Sequence, residues 1–141
     1  MKRIKSISWF LGIAMFMFGI LKVLVPTIHG WFAVQMTNSG ISKYIPIWVG
    51  IAGEIVSGSA LIVALFTAQK FSSRTIWLII QGASATIIIM MLTAVYVHMQ
   101  PNVPADVLPL KIKAPFIPIF MLSLALTNVY LIQRKIKNKL Y

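Results

Sequence analysis

The chain has 141 residues, 59% of them apolar, with a mean hydropathy of +0.88, which is too hydrophobic for a soluble domain, where about 45 to 50% is usual. Its net charge of +11 arises from 13 Lys and Arg against 2 acids, but the cations stand between apolar runs, so they read as topology signals and not as a nucleic-acid face. With no cysteine, disulfides, thiol catalysis, cysteine-ligated clusters and thiol exchange with quinones are excluded.

The first apolar run, about 7–25, follows Lys2, Arg3 and Lys5. It resembles a signal peptide in the order of its regions, but it is too long and lacks a small-x-small cleavage site. We read it as the first membrane-spanning helix, closed by Pro26, with Lys22 one turn before its end. Its rise of roughly 28 Å approaches the roughly 30 Å hydrocarbon core. Residues 26–44 interleave Ile28, Trp31, Phe32 and Met36 with His29, Gln35, Asn38 and Lys43. That spacing predicts a short interfacial helix ended by Asn38-Ser39-Gly40, serving as a surface connector, with a lid over a pocket as the alternative.

The second span is expected at about 45–66, with Pro46 tolerated in its first turn. It carries Glu54 inside a glycine-studded run, and the only other acid in the chain is Asp106. A polar turn from Gln69 to Thr75 leads to the third span, about 76–97, which is apolar except for Gln81 and small hydroxyls, with His98 at its exit. Residues 98–114 hold Pro101, Pro104 and Pro109 and predict an ordered extended loop. The fourth span, about 115–132, runs into Arg134, Lys135, Lys137 and Lys139.

The chain therefore reads as all-α, a single integral-membrane four-helix bundle over 1–141. Lys2, Arg3, Lys5, Lys70, Arg74 and the C-terminal cations fall on one side, against Lys43, Lys111 and Lys113 on the other. Both termini are thus expected in the cytoplasm, with loops 26–44 and 98–114 facing outward. Trp9, Trp31, Trp48 and Trp77 all fall near span boundaries, as interface anchors do.

A carboxylate at membrane depth costs something like 2.5 to 3.5 kcal/mol on insertion scales, so Glu54 is a candidate functional residue. Nine residues into a span starting at Ile45, it would lie roughly 13 Å deep, nearly at the midplane. Gly50, Glu54 and Gly58 share one helix face, which invites close approach by a neighbour. Lys22 is the expected partner, because side chains lean toward a helix's N-terminus and these two lean toward each other in depth. The bland alternatives are a snorkelling lysine and a structural ion pair. His98 and Gln81 complete the candidate polar set, although about 100° of rotation separates them, so the third span has no single polar seam. His29 and His98, read as boundary residues, do not make a haem pair. Met90, Met91 and Met99 suit flexible packing better than copper, and no metal site is expected. Ser123, Thr127 and Tyr130, with Asn128 beside them, are expected to bond between helices.

Phe18-Gly19-Ile20-Leu21-Lys22, the run Gly50-x-x-Gly53-Glu54-x-x-x-Gly58-x-x-Leu61 and a third helix leading into Val97-His98 and a proline-rich loop resemble the DoxX-like family of small bacterial four-helix membrane proteins. The resemblance spans nearly the whole chain. It implies a bundle with Lys22 and Glu54 at polar positions, binding a small or lipid-soluble ligand such as a quinone, or serving as membrane subunit to a soluble or membrane-bound redox partner. At most that makes the chain a subunit of a quinone-linked oxidoreductase, with no catalytic residue assignable and a homo-oligomer left open. Two other classes compete: a proton-coupled small-molecule transporter using Glu54, and a scaffold in which the charges only fix register.

Overall fold

A computed structural model describes residues 2–138; Lys139, counted above among the C-terminal cations, lies outside them. The described residues form α1 (Lys2–Leu24), α2 (Pro26–Asn38), α3 (Ile47–Phe66), α4 (Ser73–Met99) and α5 (Phe116–Lys137), with 3-10 turns at Ile41–Lys43, Ala105–Val107 and Pro109–Lys111. Four of them, α1, α3, α4 and α5, are long and apolar enough to cross a membrane. They form a ring in which α1 packs against α3 and α5, and α4 against the same two. Local chemistry sets the breaks. Pro26 occupies the first turn of α2, Gly40 follows that helix at φ +80°, and the Ser72 hydroxyl accepts the Thr75 amide at 3.2 Å to start α4.

The helices outrun the apolar segments that predict them. Helix α1 begins at Lys2, not near Ile7, and α5 continues to Lys137, because basic residues at a membrane boundary remain good helix formers. Both of these ends lie together, flanking one groove between Arg3 and Arg134. At that end Trp9 meets Phe66 edge-on at 5.0 Å, and the Lys135 ammonium lies over Trp77. Trp31 and Trp48 are exposed at the other end. Trp48 and Phe66 are eighteen residues apart on α3, about 27 Å by helical rise, which matches the roughly 30 Å hydrocarbon core.

Within the bundle Leu11, Met15, Leu61, Ile80, Ile87, Ala125 and Ile132 are buried. The tightest seam joins α1 and α3. A Cβ on Gly58 would come within 2.4 Å of the Phe16 amide nitrogen and 2.8 Å of the Gly12 carbonyl oxygen. A Cβ on Gly19 would meet the Ile55 backbone nitrogen at 3.0 Å and the Glu54 Cβ at 3.1 Å. At Gly58 those neighbours are backbone and cannot yield, so glycine alone permits the approach; at Gly19 the Ile55 side chain, 2.6 Å from the added Cβ, would also have to shift.

Helix α2 and the 100–115 segment cap the end opposite the termini. The Gln35 amide donates to the Val107 carbonyl and the Asn38 amide to the Asn102 carbonyl at 3.0 Å. The Lys113 ammonium donates to the carbonyls of Gln100 and Val103, each at 2.5 Å. The cap is ordered enough to hold Leu110 and Lys111 at φ +55°, a strained conformation for residues with a Cβ.

The seam predicts that Gly58→Ala lowers stability by about 1 to 3 kcal/mol through overpacking. Gly82→Ala, with nothing within 4 Å of its added Cβ, should be neutral or slightly stabilising. Thermal unfolding of both variants in detergent checks this; equal behaviour would contradict the seam.

Candidate functional site

Glu54 and Lys22 meet. The Lys22 ammonium donates to Glu54 Oε1 at 2.5 Å, with side chains 15% and 8% exposed. It is the one ion pair among the described residues. The seam explains the meeting: Lys22 follows Gly19 by almost one turn of α1, and Gly19 lies against the Glu54 Cβ. Helix α3 starts at Ile47, not Ile45, so Glu54 is seven residues in, about 10 Å by helical rise, on the capped side of the helix midpoint and within about one turn of it. The Ser57 hydroxyl donates to the Glu54 carbonyl at 3.3 Å, which ties down the backbone and leaves the carboxylate untouched. The second carboxylate oxygen, Oε2, is buried and has no hydrogen-bond partner among the described residues.

Phe32 of α2 covers this pair. Its ring centroid is 4.0 Å from the Lys22 ammonium, a cation–π contact. Its Cζ also lies 2.9 Å from where a Cβ on Gly50 would be, so Gly50 makes room for the ring. The expected connector therefore places an aromatic side chain directly on the candidate site. His29 lies beside it, with Nδ1 at 3.1 Å from the Lys22 carbonyl. The sequence names both, Phe32 as an apolar residue of the interfacial helix and His29 as a boundary histidine, but places neither beside the pair. A period of three places His29 and Phe32 on one face of α2, but nothing in the sequence says that Phe32 is laid against the pair while His29 stays exposed.

The other two candidates stand apart. Gly53 lies against Met90 of α4, whose sulfur would be 3.0 Å from a Cβ placed on the glycine. His98 is eight residues further along α4 and Gln81 nine residues back, roughly 12 and 13 Å from that level in opposite directions. His98 is also no solvated boundary group: it is 4% exposed, with Nδ1 at 3.2 Å from the Lys113 carbonyl, because the 100–115 segment folds over it. It fastens the cap. Gln81 is half-buried on the side of the termini. The described residues bring no three of His, Asp and Glu together.

A second polar cluster lies deep in the bundle. Asn128 of α5 donates to the Ser8 hydroxyl of α1 at 2.9 Å and the Ser84 hydroxyl of α4 at 3.1 Å, all three buried. The expected stripe is corrected here. Ser123 and Thr127 donate to carbonyls four residues back on their own helix, and Tyr130 faces outward; the interhelical bonds belong to Asn128.

Chemically, the site offers an ammonium donor, a free carboxylate acceptor and an aromatic face, within a low-dielectric setting that strengthens polar contacts. No protein-family model matches the chain, and no curated protein or solved structure matches it.

Breaking the pair on one side should leave a charge stranded. Lys22→Met is expected to cost roughly 3 kcal/mol, and adding Glu54→Gln should recover most of it, because replacing both members of a buried pair is far less disruptive than removing one. Unfolding of the two single variants and the double variant measures this coupling; additive losses would contradict it.

Proposed function

We propose that this protein is a DoxX-like subunit of the bacterial inner membrane that binds a small lipid-soluble ligand, a quinone by chemical class, between Lys22, Glu54 and Phe32. The observation carrying this reading is the buried, unpartnered Oε2 of Glu54 beside the Lys22 ammonium and under an aromatic ring. A buried carboxylate oxygen without a donor is costly, and a hydroxyl of the ligand's reduced, quinol form would satisfy it. Lys22 would donate to a carbonyl of the oxidised form, and Phe32 would offer its face to the ring of either. Such a ligand supplies paired electron and proton transfer when bound; the chain's own residues bind and orient it. Without cysteine the chain has no thiol pair to supply electrons, and the reading gives that task to a redox partner.

Entry requires α2 to move, since Phe32 fills the space over Gly50. Helix α2 hangs between Val25 and the left-handed Gly40, and its bonds to the cap are side chain to carbonyl, so it can swing without opening the four-helix bundle. A second reading is favoured by the glycine seam: the pair only fixes the register of α1 on α3.

The two readings separate on ligand content. Protein purified from native membranes should carry quinone, and Glu54→Gln and Phe32→Ala should each lower the bound amount by about tenfold, the scale of one lost charge-assisted contact. Equal quinone content in both folded variants would remove the pair from the site and leave the register role.

A further inference from the structure

At the end of the bundle that carries the termini, the first turn of α1 and the last turns of α5 enclose an open groove of about 600 Å³, lined by Lys2, Arg3, Ile4, Leu131, Arg134 and Lys135 among others. Its size is within the range of about 300 to 1,000 Å³ typical of ligand sites. Four cationic side chains border it, and both acidic side chains of the protein are elsewhere: Glu54 is paired with Lys22, and Asp106 lies in the cap at the opposite end.

All four serve as topology signals, and for half of them the local helix field is favourable as well. Arg134 and Lys135 stand in the last turn of α5, where cations complement the negative end of the helix dipole. Lys2 and Arg3 do not fit that explanation. They occupy the first turn of α1, which contains no acid, so two cations stand against the positive end of a helix whose first amides have no intrahelical acceptors. Repulsion between the α1 and α5 cations adds to the cost. An external anion would relieve every one of these terms.

Two further features select the anion. Ile4, 4% exposed, and Leu131 give the groove apolar walls beneath its charged rim, which suits an amphiphile. The Lys135 ammonium is 5.1 Å from the centroid of Trp77, and this half-buried tryptophan, near the end of its span, sets the groove at headgroup depth. Basic pockets between helix ends at this depth suit the phosphate of an anionic lipid. We propose that the groove between the α1 and α5 ends is a binding site for the headgroup of an anionic phospholipid, with Lys2, Arg3, Arg134 and Lys135 on the phosphate and Ile4 and Leu131 along the upper acyl chain.

The test titrates the purified full-length protein in neutral detergent with dioleoylphosphatidylglycerol, dioleoylphosphatidylcholine and glycerol 3-phosphate. The anionic lipid should bind about tenfold or more tightly than the zwitterionic one, and glycerol 3-phosphate only weakly. Arg134→Gln with Lys135→Gln, and separately Lys2→Gln with Arg3→Gln, should abolish the preference. Lys70→Gln with Arg74→Gln, which removes equal charge from the α3–α4 turn, should preserve it. Equal binding of the two lipids, or an equal loss in the Lys70/Arg74 control, would overturn the site. Binding of glycerol 3-phosphate as tight as that of the lipid would replace the lipid with a soluble phosphate.

Discussion

The close approach of α1 to α3 is the constraint on which the rest depends. Gly12, Gly19 and Gly58 let two backbones come nearly into contact, and in a bilayer such packing, not hydrophobic exclusion, holds helices together. Once the seam is set, Lys22 and Glu54 have little choice of partner. Each would be costly alone in hydrocarbon. Together they form a contact that fixes the rotation and sliding of one helix against the other, and the seam in turn keeps lipid tails from separating the charges. Packing and electrostatics specify the same register, the kind of agreement between levels expected of a well-specified fold.

The remaining polar groups divide the bundle into two halves with different tasks. Toward the termini, Asn128 joins α1, α4 and α5 through Ser8 and Ser84, so three of the four spans share one buried node. Toward the other end, His98 and Lys113 hold the 100–115 segment, and Gln35 and Asn38 moor α2 to it. The half toward the termini is tied by buried side-chain hydrogen bonds between spans. Above the pair the polar contacts are mostly between side chains and loop carbonyls, which can exchange for water more readily than helical hydrogen bonds buried in the bundle. That asymmetry puts the charged pair at the junction of the bundle core and the cap.

Much of this is legible in the sequence, and the reasons are local. Long apolar runs bounded by cations give the four spans, because length and hydropathy are properties of the segment itself. Asn38-Ser39-Gly40 gives the end of α2, and side-chain tilt gives the approach of Lys22 to Glu54. What the sequence hides is tertiary. His98 looks like a boundary residue because nothing near it in the chain shows that Lys113, fifteen residues on, folds back over it. Phe32 looks like one more apolar residue of an interfacial helix, since the face of α2 that turns inward depends on how Pro26 redirects the chain. Ser123 and Thr127 share a face with helical spacing, yet their hydroxyls are satisfied by their own backbone, an outcome open to any Ser or Thr in a helix.

The chain contains a single glutamate, so feeding cells glutamate labelled at the side-chain carboxyl carbon marks Glu54 alone, provided label scrambling is suppressed. Carbon-13 magnetic resonance of that carboxyl in reconstituted protein reports the contact on which the account rests. The account predicts one resonance that moves clearly when Lys22 is replaced by Met and barely moves in His98→Ala. A resonance indifferent to Lys22→Met would show that the two groups do not touch, and the reading of this site would fall with it.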